Sequence, residues 1–237
     1  MNTYQQISNA VKALADKERA VHLQRYFKTG AGQYGEGDQF LGLRVPQVRK
    51  LATEFYKQAA PETIEKLLGS PYHELRQQAL FMLVFQFKKA KSEEEKENIV
   101  QLYLHNIPAI NNWDLVDASA PYILGAHLLH KPKTILYEMA QSGHLWQQRI
   151  AIISTYYFIK QGHFTDTLNI AKILLQHPHD LIHKATGWML RELGNKNLEA
   201  EINFLAEHYH NMPRTMLRYA IEKFEPRLKE QFMKGMI

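Results

Sequence analysis

The sequence contains no cysteine, which excludes disulfides, thiolate nucleophiles and thiolate metal sites and fits a reducing compartment. No apolar run approaches the roughly 18 residues that a membrane span requires. The opening Met-Asn-Thr-Tyr-Gln-Gln lacks the basic-then-apolar order of a secretory signal. A cytoplasmic protein without membrane contact is therefore expected. Alternating strands and hairpin turns are also missing. The twelve histidines form no His-Glu-x-x-His pair, and His177, His179 and His183 have only Asp180 beside them as an acid, so no metal is expected. No Gly-x-Ser-x-Gly marks an activated serine.

One motif is present in its letters but not in its context. Gly30-Ala31-Gly32-Gln33-Tyr34-Gly35 spells the dinucleotide fingerprint, which works only between a strand and a helix whose N-terminus meets a pyrophosphate. Here Leu23 to Lys28 reads as helix, and Glu36 and Asp38 follow the glycines. Two acids would repel phosphate, so no nucleotide cofactor is expected. The segment reads as a flexible loop, one that could face DNA.

What the chain does have is helical period almost throughout. Apolar residues make up 45% of its 237 positions, ample for a continuous core. Short breaks at Gly69-Ser70-Pro71, Ile107-Pro108, Lys131-Pro132, Gln161-Gly162, His177-Pro178 and Met212-Pro213 separate the runs. Arg76, Trp113, Arg149, Lys184 and Arg218 each open a helical run, at steps of 37, 36, 35 and 34 residues. Such spacing suits helix-pair repeats, which stack into solenoids with their second helices lining a concave surface. The expected fold is all-α: one domain, residues 1–237, an α-solenoid of helix-pair repeats with a basic concave groove. Chance register of common cations in any helical protein is the plainer alternative. The net charge of +5 favours an anionic partner only if the cations share a face.

Asn111-Asn112-Trp113-Asp114-Leu115-Val116-Asp117 holds the most specific chemistry. Trp113 and Asp117 lie one turn apart on one helix face, where a carboxylate beside an indole could stabilise positive charge on a reacting group. Half-buried packing, or a solvated carboxylate, would give the same spacing. Trp188, four residues after Lys184, is by default a core tryptophan, with Gly187 beside it leaving room for close approach. Arg214 and Arg218 begin the last long helical run, where they could hold phosphate or merely face solvent.

Taken together, Trp113-Asp114-Leu115-Val116-Asp117, Trp146-Gln147-Gln148-Arg149 and Lys184-Ala185-Thr186-Gly187-Trp188-Met189-Leu190-Arg191-Glu192 resemble the AlkD-like DNA alkylation repair proteins. Phe40 to Pro46 and Pro213 to Arg218 are similar to further segments of that family. These are HEAT-like-repeat DNA glycosylases that remove positively charged N3- and N7-alkylated purines. The resemblance implies that Asp117 is the catalytic carboxylate, with Trp113 and Trp188 packing on the lesion sugar. It further implies that Arg149 contacts the DNA backbone and Tyr26 lies near the lesion strand, while Lys184, Arg191, Arg214 and Arg218 supply further DNA contacts. The implied partner is double-stranded DNA carrying alkylated purines, bound by a monomer without cofactor or base-flipping pocket. The glycine-rich loop from Thr29 to Asp38 departs from the family pattern, so the first repeat would meet DNA differently. Some relatives keep the fold but bind branched or damaged DNA without excising a base.

Overall fold

The computed structural model describes residues 2–237, and its regular elements there are all helical. The chain divides into two compact units, Met1–Ile123 and Leu124–Ile237. No helix among the described residues is long and apolar enough to cross a membrane.

The first unit carries α1 (Thr3–Lys12), α2 (Lys17–Tyr26), α3 (Val45–Phe55), α4 (Pro61–Leu68), α5 (His73–Lys89), α6 (Glu93–His105) and α7 (Trp113–Ser119). A π turn, Pro121–Gly125, follows α7, beginning at a proline whose missing N–H interrupts the α-helical ladder. The second unit carries α8 (Ala126–Leu128), α9 (Thr134–Gln141), α10 (Leu145–Lys160), α11 (Thr165–Ile173), α12 (Asp180–Gly194), α13 (Leu198–His208), α14 (Arg214–Ala220) and α15 (Pro226–Lys234).

Local signals account for the helix ends. Asn2 and Gln5 form a reciprocal capping box at α1, and Asp16, Ser92 and Asn197 accept backbone N–H groups at the starts of α2, α6 and α13. Each cap stabilises its helix by about 1 kcal/mol. Pro61 and Pro226 occupy first-turn positions that need no N–H donor. All six glycine or proline breaks expected from the sequence fall between α-helices, the Ile107-Pro108 break within a short 3₁₀ turn, Ile107–Ala109.

Helices α5 and α10 are buried nearly all round, polar residues such as Gln78 and Thr155 included, as expected of a helix packed on several sides. In the first unit α5 packs against α3, α4, α6 and α7. In the second, α10 packs against α9, α11 and α12, and α12 against α13 and α14. The α12–α14 approach depends on Gly187: a Cβ there would lie 2.4 Å from the Met216 carbonyl oxygen and 2.6 Å from the Tyr219 Cβ. The close approach expected at Gly187 is thus helix packing.

Arg76, Trp113, Arg149, Lys184 and Arg218 lie within the first five residues of α5, α7, α10, α12 and α14. The register is real, but its members differ in environment. Arg76 is buried, its guanidinium 2.6 Å from Asp38 and donating to the Ser70 carbonyl at 3.0 Å. Arg149 is only 4% exposed and donates to the Leu181 carbonyl at 2.6 Å. Lys184 is half-buried and Arg218 exposed.

Candidate active site and nucleic-acid interface

In the first unit, the segment before α7 ends at Asn112, whose buried side chain accepts the Trp113 N–H at 2.9 Å. Helix α7 therefore begins at the tryptophan, and Asp117 stands one turn later on the same face. Both side chains are half-buried. The indole stacks on Phe27, centroids 5.3 Å apart and planes inclined by 17°. Tyr26 meets its edge at 6.1 Å. Tyr26 is 58% exposed, whereas Phe27 is buried. The last residue of α2 and the one after it thus divide two tasks, one ring offered to solvent and one holding Trp113 from behind.

The stack continues inward. Phe27 lies on Phe40 at 5.0 Å, and Phe40 on the His73 imidazole at 4.6 Å. Offset ring pairs of this kind add about 1 kcal/mol each beyond their buried area.

His73 opens α5 and is almost fully buried. Its Nε2 is 2.8 Å from Asp114 and its Nδ1 3.4 Å from Asp38. Both partners are carboxylates, and only the protonated ring can donate from both nitrogens. Burial, the largest single influence, opposes that charge, while Asp114 favours it through Coulomb attraction and a hydrogen bond. With the Asp38 bond added and Arg76 opposing, the His73 pKa is raised to about 9. Asp38 is pushed up by burial yet ends below the ordinary carboxylate range, because His73, Arg76 and Asn111 all stabilise its anion. Asn111 donates to it at 2.9 Å.

Asp114 also accepts from Gln77 at 2.9 Å. The two acids of the Trp-Asp-Leu-Val-Asp segment therefore have different duties: Asp114 ties α7 to α5, and Asp117 stands a turn away beside the indole. Behind them the buried Tyr103 hydroxyl lies 3.2 Å from the Ser119 hydroxyl. Burial pushes the Tyr103 phenol far up, and the negative charge of Asp117 adds to the effect. A neutral phenol backs the helix that carries the carboxylate.

The glycine-rich loop is not free along its whole length. Asp38, read from sequence as an acid that would repel phosphate, is buried at the end of the loop and bonded to α5. Gly35 donates to the Lys28 carbonyl at 3.1 Å, and a Cβ on it would lie 2.6 Å from the Phe27 carbonyl oxygen. The expectation of a flexible loop is corrected at this end, because a paired, buried carboxylate anchors it. The neighbouring Phe40–Pro46 segment is held by Glu74, whose buried carboxylate accepts N–H bonds from Leu41, Gly42 and Leu43 at 2.9, 2.7 and 3.2 Å.

In the second unit, Trp188 is half-buried, its ring 5.9 Å from Tyr156 and its Nε1 donating to Glu192 at 3.1 Å. Lys184 pairs with Asp180 at 2.6 Å, and Arg191 pairs with Glu222 and with Glu192. The exposed Arg214 donates to the Met233 carbonyl at 3.0 Å. With Arg218, these residues give α12 and α14 a run of cations and one indole.

Of the candidate residues, the first unit brings Tyr26 to Trp113, with Asp117 one turn along α7, and the second places Lys184, Trp188 and Arg191 along α12. Sequence reading missed Phe27 and His73 and gave Phe40 and Asp38 no place in the cluster, because their partners are distant in sequence. No group of three or more His, Asp or Glu among the described residues is arranged to hold a metal ion. A cavity of about 550 Å³ between α4, α5 and α6, lined by residues including Glu65, Gln86 and His105, shares no residue with the aromatic cluster.

The sequence profile of the family described as DNA alkylation repair enzyme matches residues 7–224. Among curated proteins no sequence matches. Among solved structures that share the fold, two are compared with this chain. One, described as a predicted DNA alkylation repair enzyme from Enterococcus faecalis, is 18% identical with a TM-score of 0.70, covering 90% of this chain and 97% of its own. The other belongs to a family described as related to the HEAT-like repeat DNA glycosylases with affinity for branched DNA structures. It is 13% identical with a TM-score of 0.60, covering 100% of this chain and 96% of its own. The helix pairs are thus HEAT-like repeats, and the chain belongs to the DNA alkylation repair enzyme family.

Proposed function

We propose that the protein is a monofunctional DNA glycosylase that excises N3- and N7-alkylated purines from duplex DNA and acts as a monomer. One observation carries this reading. Asp117 stands one turn from an indole that Phe27 holds from behind and the exposed Tyr26 meets at its edge.

The chemistry follows from charge. Alkylation at N3 or N7 makes the purine cationic, so when the bond from C1′ to the base nitrogen breaks, its electron pair neutralises the departing base. Positive charge then collects on C1′ and the ring oxygen of the deoxyribose. A fixed carboxylate stabilises that oxocarbenium-like state, and removing such a group typically costs a factor of about 10² to 10³ in rate. Water adds to C1′ and gives up a proton, leaving an abasic site and a free neutral base. Asp117 serves this step as the anion and can also orient the water. The Trp113 face adds a cation–π contact. No lysine is placed by motif for a Schiff base, so no strand cleavage is assigned.

Recognition would rest on phosphate contacts and on the charge of the lesion rather than on base edges. Tyr26 would lie near the lesion strand. In the second unit Trp188 is assigned to the DNA sugar, and Lys184, Arg191, Arg214, Arg218 and Arg149 to the backbone.

A second reading, binding of branched DNA without excision, is favoured by the relative described as having that affinity. Release of 7-methylguanine or 3-methyladenine from methylated duplex DNA separates the two. Wild type should release base, and Asp117→Asn should do so about 100-fold more slowly or worse. Equal rates would remove Asp117 from the reaction, and tight binding with no release from wild type would favour the second reading.

A further inference from the structure

His73 makes contacts that the chemistry above does not use. One imidazole joins three parts of the first unit: its own helix α5, the end of the glycine-rich loop through Asp38, and the first turn of α7 through Asp114. The Asp114 bond attaches one residue after Trp113 and three before Asp117. The ring also reaches Trp113 by a second route, through the stacked faces of Phe40 and Phe27. Both routes end at the same indole.

We infer that His73 is the positioning residue of the site, fastening the loop and the first turn of α7 to α5 and so fixing the Trp113 indole and the Asp117 carboxylate. The physical case rests on burial and donor count. A buried carboxylate without a donor is costly, and here two carboxylates, Asp38 and Asp114, share one two-donor ring. Arg76 also holds Asp38, and Gln77 also holds Asp114. A glutamine at position 73 offers donors from one nitrogen only and has no ring to stack on Phe40. It should leave α5 in place while freeing α7 to shift, and a shift of about 1 Å at a reacting group costs up to about 10²-fold in rate.

This role rests on the glycosylase reading for its kinetic consequence but not for its structural one, so the test reads both. The chain holds three tryptophans, so protein labelled with 5-fluorotryptophan should show three ¹⁹F signals, assigned by replacing each in turn with phenylalanine. In His73→Gln the Trp113 signal alone should move, while those of Trp146 and Trp188 stay. Single-turnover base release should fall about 10- to 100-fold, with the Kd for methylated duplex within about twofold of wild type. A general loss of folding would move all three signals, in which case Asp38→Asn, which spares the bond from His73 to Asp114, replaces it. That variant should move the Trp113 signal by less. An unmoved Trp113 signal in a folded variant overturns the inference. So does a moved signal with unchanged release, where wild type is active. If wild type releases no base, the glycosylase reading fails, and the fluorine signals still decide whether His73 positions Trp113.

Discussion

The backbone N–H of Gly42 donates to the Glu74 carboxylate at 2.7 Å, in the interior of the first unit. Leu41 and Leu43 donate to the same carboxylate, so three consecutive N–H groups form a concave nest around one anion. Gly42 has φ +91°, and a Cβ there would lie 2.0 Å from the Asp16 carbonyl oxygen. The nest holds the segment that begins at Phe40, and Phe40 is one of the rings stacked behind Trp113.

Removing either partner should therefore unfold the support of the site. Glu74→Ala leaves buried N–H donors unsatisfied, and we expect a loss of about 3 kcal/mol. Gly42→Ala combines an unfavourable backbone conformation with a clash against Asp16, for a loss of about 3 kcal/mol or more. Urea unfolding measures both. A Gly42→Ala protein as stable as wild type would mean that the segment does not have this conformation.

The pH dependence of stability should follow two buried groups. Burial raises the Glu201 carboxyl from 4.5 to about 8, against the pull of Arg191. The folded state therefore binds the extra proton, and its stabilising effect is complete below pH 4.5 and lost as pH rises through about 8. His73, raised from 6.5 to about 9, acts in the same direction: its contribution is complete below pH 6.5 and lost as pH rises through about 9. Unfolding free energy should thus decline between about pH 4.5 and 9. Glu201→Gln should flatten the lower part of that decline, raising Tm at about pH 8.5 by several degrees. An unchanged profile would show that Glu201 is already ionised at neutral pH.

The cations of the second unit should separate into two classes. Arg149 is nearly buried and bonded to the Leu181 carbonyl, so Arg149→Ala should cost about 2 kcal/mol of stability whatever it does to DNA affinity. Arg218 is exposed. Arg218→Ala should change stability by less than about 0.5 kcal/mol and reduce the slope of log affinity against log salt by about 0.9. Thermal unfolding beside a salt titration of duplex binding distinguishes the two. Unaltered stability in Arg149→Ala would show that its bond to the Leu181 carbonyl does not hold the fold.

The helices, their breaks and the pairing of Trp113 with Asp117 were legible in the sequence, because each depends on residues within one or two turns of one another. Period, caps and prolines act locally, and a four-residue spacing places two side chains on one face in any α-helix. What tertiary structure alone decided is how like residues divide. Asp114 and Asp117 stand three residues apart in one segment. Asp114 is taken up by His73 and Gln77, 41 and 37 residues away in sequence. Asp38 sits in a loop that looks solvated, yet Arg76, His73 and Asn111 draw it inside. Arg76 and Arg218 share a register, but one is turned inward to a carboxylate and the other to solvent. A charged side chain's role is set by the donors, acceptors and water that surround it, and distant parts of the chain supply those only when it folds.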